Sequence, residues 1–266
     1  MRLALKRMIR TYQTYFPGLI EAKFAAQRFY RRTSRRPHES DFAAIAAFPR
    51  IPEAVFLDVG GNRGQSLDSI RLYNELCWIH SFEPNPILAG KLRARYGDDP
   101  KVTIHEVALG KDCGEATLFV PRYRGFVFDG LASFSKDEVI SWLRNNMLSF
   151  DERHLSFVTY VCCVERLDDL SLAPYFIKLD IQGGEFEALL GARTTLSRHH
   201  PALFVEGGEP KMFAYLSELG YNSYTFVNGQ FVPGARPGCN AFHLTAKHLA
   251  EVSRYGREGV VRPQIQ

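Results

Sequence analysis

The chain has no CxxC pair, no apolar run of eighteen or more residues, no internal repeat and no low-complexity segment. Each absence removes a class of protein. The cysteines are odd in number (Cys77, Cys113, Cys162, Cys163, Cys239) and lack metal-ligand spacing. They read as reduced thiols in a cytosol-like compartment, not as a disulfide frame or a zinc site. Without a long apolar run, no membrane-spanning helix is expected. Acid is scarce at one end only. Residues 1–36 hold ten Lys/Arg and a single carboxylate, Glu21, for a net +9, which leaves −5 for the remainder. The basicity of the chain therefore sits in an N-terminal arm on a mildly acidic body.

That arm reads as helical. Leu5, Ile9, Tyr12 and Phe16 form one stripe broken by Pro17-Gly18, and a second helical stretch around Ile20 and Phe24 ends in RRTSRRP. Two readings stand side by side. A basic amphipathic helix can lie on an anionic membrane surface, or it can pack on the domain with a solvated basic face. Lys6 and Arg7 interrupt any secretory apolar core, whereas an Arg-rich, acid-poor start also suits an organellar transit peptide. Nucleic acid is not an expected partner, because the body offers no second basic surface interleaved with aromatics.

What the chain does have is the stretch VFLDVGGNRGQ at Val55–Gln65. An apolar run ends in Asp58, Gly60, Gly61 and Gly64 follow, and then Leu67, Ile70, Tyr73 and Cys77 recur at helical spacing: strand, tight turn, helix. Glycine there is expected to let a ligand approach bare backbone near a helix N-terminus. A second strand, Trp78–Phe82, ends at Glu83, 25 residues after Asp58, where dinucleotide-type folds place an acid for ribose hydroxyls. Further strands are expected at Val102–Val107, Tyr175–Asp180, Ala202–Glu206, Tyr221–Val227 and Ala241–Thr245, with extra strands at 115–121 and 157–164. Helices are expected at 87–96, 136–148, 185–196 and 211–219. Asn228-Gly229 signals a hairpin. The fold class is α/β: a doubly wound, Rossmann-like, mostly parallel seven-stranded sheet with an antiparallel edge and a helical N-terminal arm. Three segments are expected: a basic helical extension over 1–40, a domain over 41–250 and a tail over 251–266.

Asp58, Glu83, Asp180 and Glu206 all close apolar runs read as strands, and acids at strand tips suit a site better than a core. The glycine spacing is Gly60-Gly61-x-x-Gly64, not GxGxxG, and the acid before it would repel a pyrophosphate and welcome a sulfonium. This favours S-adenosylmethionine over NAD. Simpler roles are expected for Asp168 and Asp169 (turn or cap), Glu187 (surface) and His199-His200 (solvated loop); no zinc site is expected, and a Mg²⁺ held by Asp180 and Glu206, resting on two carboxylates alone, stays open. Phe126, Phe128 and Phe134 suit either an acceptor pocket or the core.

At this point the sequence resembles the FkbM-type methyltransferases of the class I S-adenosylmethionine-dependent fold. The matching stretches are FLDVGGNRG (56–64), HSFEPNP (80–86), VALG (107–110), ERLDDL (165–170) and FIKLDIQGGEFEALLGA (176–192). Gln182 stands where the family usually carries Glu. The resemblance implies O-methylation of a hydroxyl on a small molecule or glycan. It places Asp58, Gly60, Gly61, Asn62 and Gly64 at the amino-acid end of the cofactor, Glu83 at its ribose, and Glu106 and Val107 beside the adenine. Asp180, with Lys178 on the same strand face, would lie near the transferring methyl. A hydroxyl acceptor needs a base within hydrogen-bond reach; Asp180 is the first candidate, with Glu206 and His105 behind it, or else Asp180 only orients the cofactor or caps the following helix. Three other readings stay open: a nucleic-acid 2′-O-methyltransferase, an NAD(P)-dependent oxidoreductase and a non-catalytic binding module. The expected location is cytoplasmic, with the arm able to touch a membrane surface.

Overall fold

A computed structural model describes residues 2–16, 18–235 and 240–258. Pro17, Cys239 and the second half of the expected tail (259–266) fall outside the described residues. Two helices, α1 (Arg2–Gln13) and α2 (Leu19–Ser34), precede a 3-10 turn at Ser40–Ala47. The body then runs β1 (Val55–Val59), α3 (Gln65–Tyr73), β2 (Trp78–Phe82), α4 (Pro86–Tyr96), β3 (Val102–His105), β4 (Ala108–Leu109), β5 (Gly114–Tyr123) and β6 (Phe126–Val127). After α5 (Lys136–Asn146) come β7 (Leu155–Glu165), β8 (Pro174–Leu179), α6 (Glu185–Leu190), α7 (Arg193–His199) and β9 (Ala202–Val205). The chain closes with α8 (Pro210–Glu218), β10 (Asn222–Val227), β11 (Gln230–Pro233), β12 (Ala241–Leu244) and α9 (Ala246–Glu258).

The main sheet has the order β11-β10-β12-β9-β8-β1-β2-β3. Strands β3, β2, β1, β8 and β9 pair in parallel, and β12 adds antiparallel to β9. The doubly wound reading with an antiparallel edge therefore describes the architecture. The sheet gains an eighth strand beyond the seven expected, because Asn228 and Gly229 both take positive φ and fold β11 back on β10. The extra strands at 115–121 and 157–164 leave the main sheet. They pair with each other along β5 and β7 and, with β4 and β6, form a second, four-stranded sheet. The helix expected over 185–196 is two helices, broken at Gly191: a Cβ there would sit 1.9 Å from the Gly110 carbonyl oxygen. Helix α9 crosses the expected boundary at 250 without interruption, and Leu249 and Val252 both pack on the core.

The central strands read as continuous apolar runs because both faces are covered. One face carries Phe56, Phe176, Phe204 and Phe242, whose rings stack in pairs at 5.1 Å and 4.6 Å, with Leu67 and Ile70 of α3 packed over them. The other carries Leu57, Ile177, Leu203 and Val205 against Leu189, Leu196 and Leu216 of α6, α7 and α8. Helix starts follow local chemistry. Asn85 accepts from the Ile87 N–H with Pro86 in the first turn, and Asp168 accepts from Thr194 and Thr195 to start α7, the capping role expected of it. The chain order reverses direction between β1 and β8, and a doubly wound sheet opens its ligand crevice at such a switch point.

Candidate active site

The turn after β1 crosses this switch point. Gly60 has φ +84, and a Cβ on it would lie 1.9 Å from the Asp180 carbonyl oxygen at the tip of β8. At Gly61 it would meet Ser81 Oγ at 2.3 Å, and at Gly64 (φ +79) the Tyr96 hydroxyl at 2.7 Å. The glycines are therefore demanded by the protein's own neighbours, not by an approaching ligand. The turn's donors are also spent internally. Gly60 and Gly61 N–H both donate to the Phe82 carbonyl at 3.0 Å, and Asn62 N–H donates to Glu83 Oε2 at 2.7 Å. A dinucleotide turn needs free N–H groups for its pyrophosphate, and the first three of this turn are already taken.

Asp58 corrects the sequence reading most sharply. It lies in register with Ser81 on one side and Lys178 on the other, and its side chain is fully buried. Ser81 Oγ donates to Oδ2 at 3.3 Å and Lys178 Nζ stands 3.4 Å from Oδ1. The carboxylate is thus under the turn and does not line the cleft above it. Lys178 is equally enclosed. Burial alone would strip its proton, but Asp58 and Asp180 outweigh burial and hold its pKa above the usual value. Its ammonium donates to the Gly60 carbonyl at 2.8 Å and the Val59 carbonyl at 3.2 Å, pinning the turn. Lys178 shares a strand face with Asp180, as expected, and acts here on the backbone.

Above the turn lies a cleft of about 400 Å³, lined among others by Gly60, Asn62, Glu83, Leu88, Val107, Leu118, Asp129, Phe134 and Asp180. Glu83 sits in its wall, buried and with no cation within salt-bridge distance among the described residues. Burial pushes its pKa up to about 7, against the opposing pull of the Asn85 and Asn62 N–H groups. Those two donors, at 2.9 Å and 2.7 Å, leave each oxygen able to accept again.

At the far side the loop 180–184 turns through positive φ at Gln182 and Gly183, and Glu185 holds its shape by accepting from the Ile181 and Gly183 N–H groups at 2.9 Å each. Gln182 Nε2 donates to Asp180 Oδ1 at 3.2 Å and to Glu206 Oε2 at 3.3 Å. Burial would raise Asp180, but the Lys178 ammonium, 3.7 Å away, holds it below the usual carboxylate range. Glu206 is raised, to about 8, first by sharing a proton with Asp180 and then by burial. A second hollow of about 380 Å³ opens here, lined by Gln182, Gly183, Glu185, Phe186, Glu206, Glu209 and Met212 among others.

The structure thus brings together Glu83, Gly60, Asn62, Val107 and Asp180 around one cleft and puts Glu206 at its neighbour. It leaves out several expected residues. His105 stacks on Phe82 at 4.5 Å and shares a 2.9 Å hydrogen bond with His80, away from the cleft, so it is no base for chemistry there. Glu106 pairs with Arg93 at the surface, and Gly61 and Gly64 do not line the cleft. Phe126 is core, whereas Phe134 is half exposed in the cleft wall. Sequence reasoning missed Asp129, whose carboxylate faces both Arg63 and Lys91, because a lone Asp in a Gly- and aromatic-rich loop carries no periodic signal. The bridging role of Gln182 was equally hidden.

A family model described as the methyltransferase FkbM domain matches residues 58–223. No curated protein matches the chain. Among solved structures, it is similar to a methyltransferase FkbM from Methylobacillus flagellatus KT, with 18% identity over 75% of this chain and a TM-score of 0.47. It spans 47% of that protein's length. It is also similar to a precorrin-6y C5,15-methyltransferase from Geobacter metallireducens GS-15 (12% identity, 77% of this chain and 86% of that one, TM-score 0.41). A third likeness is to an S-adenosylmethionine-dependent O-methyltransferase from Thermotoga maritima (11% identity, 79% and 66%, TM-score 0.38).

Proposed function

Since the chain belongs to the FkbM methyltransferase family, whose membership implies S-adenosylmethionine as cofactor, we propose that it methylates a hydroxyl of a small molecule or glycan. The observation that carries this reading is Glu83: a buried carboxylate without a cation, at the tip of β2, facing a cleft of about 400 Å³. A ribose diol would supply the two donors that such a group lacks. The cleft volume falls within the roughly 300–1,000 Å³ of small-molecule sites. Its apolar wall, with Leu88, Val107 and Leu118, suits a purine, and the spent turn donors suit a ligand without phosphates.

The bound cofactor supplies an activated methyl on a sulfonium, so little covalent chemistry is asked of the protein. The chain's own residues have three tasks. Glu83 accepts from the ribose and fixes the reach of the cofactor into the cleft. Asp180 lines the cleft and is joined through Gln182 to Glu206 of the second hollow, and it takes the proton of the acceptor hydroxyl. Glu206 and Gln182 hold Asp180 in place, and at neutral pH the Asp180–Glu206 pair carries one proton. Alignment of the acceptor oxygen supplies most of the rate. The second hollow favours a sugar-type acceptor: Glu185, Glu206 and Glu209 offer acceptors for hydroxyls, and Phe186 offers a ring face.

The test is transfer of labelled methyl from S-adenosylmethionine to a panel of sugars, with Asp180→Asn alongside. We expect O-methylated product, and a kcat about 10²–10⁴-fold lower in the variant with cofactor affinity changed only a few-fold. Label appearing only on nitrogen or on RNA, or an unchanged kcat in Asp180→Asn, would overturn the reading.

A further inference from the structure

Helix α1 docks on the body by its polar face. Arg7 Nε donates to the Asn145 carbonyl at 2.7 Å, and Arg10 donates to Asn146 Oδ1 at 2.7 Å with its guanidinium over the Trp142 ring. Thr11 Oγ accepts from Leu148 N–H at 2.9 Å, and Thr14 is buried. Positions 7, 10, 11 and 14 recur at three- and four-residue spacing, which puts them on one side of a helix. The opposite side is Leu5, Met8, Ile9 and Tyr12, also at that spacing, and their exposures are 51%, 39%, 45% and 61%. Among the described residues nothing covers this stripe. Helix α2 behaves alike. Glu21 reaches inward to Arg63 and Lys91, and the Arg63 guanidinium lies over the Phe24 ring, whereas Phe29 and Tyr30 stand out in solvent. Lys23, Arg32, Arg35 and Arg36 are exposed around them.

An amphipathic helix that only served the body would turn its apolar stripe inward. This one spends hydrogen bonds to hold that stripe outward. We propose that residues 2–36 form a docking surface for an anionic lipid bilayer. Leu5, Met8, Ile9 and Tyr12 enter below the headgroups, and the exposed arginines and lysine meet lipid phosphates. The arm's composition selects this occupant. A second copy would bring two segments of net +9 together, which repel. Nucleic acid would need basic side chains on the outer face of α1, but Arg7 and Arg10 point into the body, and the outer stripe is aliphatic but for the single ring of Tyr12, short of the run of stacking platforms that bases need. No helix among the described residues is long and apolar enough to cross a membrane, so the contact fitted here is peripheral. The surface is independent of the methyl-transfer reading, and either can fail without the other.

The test uses the full chain with vesicles of phosphatidylcholine, with and without phosphatidylglycerol, at low and high salt. Binding is expected on the anionic vesicles at low salt and weakly elsewhere. Met8→Ser with Ile9→Ser should lower the partition coefficient about ten-fold or more, while cofactor binding stays unchanged and certifies the fold. In a separate Tyr12→Trp variant, bromine-labelled acyl chains should quench the new fluorescence. Three outcomes overturn the proposal: no binding to anionic vesicles at low salt, binding indifferent to the serine pair, or binding without quenching. Self-association or RNA binding in place of vesicle binding overturns it too.

Discussion

Asp58 and Glu83 look alike in the sequence and differ entirely in the fold. Asp58 is the penultimate residue of β1 and Glu83 the residue after β2, the two strands lie side by side, and each carboxylate is almost fully buried. The difference is the neighbouring strand. Beside Asp58 the register places Lys178, and a cation within 3.4 Å makes that carboxylate a structural ion. Beside Glu83 lie two backbone N–H groups and an open cleft, and among the described residues no cation stands within salt-bridge distance of it. A buried acid's role is thus decided by what stands across from it, not by its place at a strand tip.

The strongest way to break this contrast is Lys178→Met. It leaves the Asp58 charge buried and unpaired and should cost about 3–5 kcal/mol of stability, read from the urea midpoint. A loss below about 1 kcal/mol, the usual value of an exposed pair, would show that Asp58 does not depend on Lys178. Next comes Glu83→Gln, which should weaken S-adenosylmethionine binding roughly 10- to 100-fold through lost charge-assisted hydrogen bonds. Calorimetry reads this, and an unchanged affinity would remove Glu83 from the cofactor.

The sequence made the sheet legible because its signals are local and periodic. Phe56, Leu57 and Val59 mark a central strand, Gly60 to Gly64 a turn, and Asn228-Gly229 a hairpin. The tips of β1, β2, β8 and β9 could be named as site positions for the same reason. What could not be read was anything set by register between distant strands. Whether Asp58 faces Lys178, whether His105 turns to His80, and whether Gln182 spans Asp180 and Glu206 all depend on pairings made long after each residue in the chain. The second sheet was hidden similarly: β5 and β7 alternate like any half-buried strands, and only their mutual pairing separates them from the main sheet.

The pH dependence sharpens the contrast further. Glu83's pKa in the fold, about 7, exceeds its ordinary value near 4.5. Its contribution to stability is therefore complete below 4.5 and is lost as pH rises to about 7, where the buried group must ionise. Cofactor binding favours the ionised form, so affinity should rise with pH up to about 7, by at most about ten-fold per unit, and then level off. Proton release on binding near pH 7, measured by calorimetry in buffers of different ionisation heat, checks the sign. Proton uptake would contradict it. The smallest effect belongs to Glu21, whose pKa of about 2 reflects Lys91 first and also Arg63, against some desolvation. It is half exposed, so Glu21→Gln should cost no more than about 1 kcal/mol, seen as a small fall in the melting temperature that high salt erases.

The most direct measurement is a crystal structure with S-adenosylhomocysteine bound. The account predicts ribose hydroxyls within hydrogen-bond distance of Glu83, with the sulfur turned toward Asp180 and with the Asp58–Lys178 pair still closed beneath the turn. An adenosine held elsewhere, or an Asp58 side chain released to meet the ligand, would contradict it.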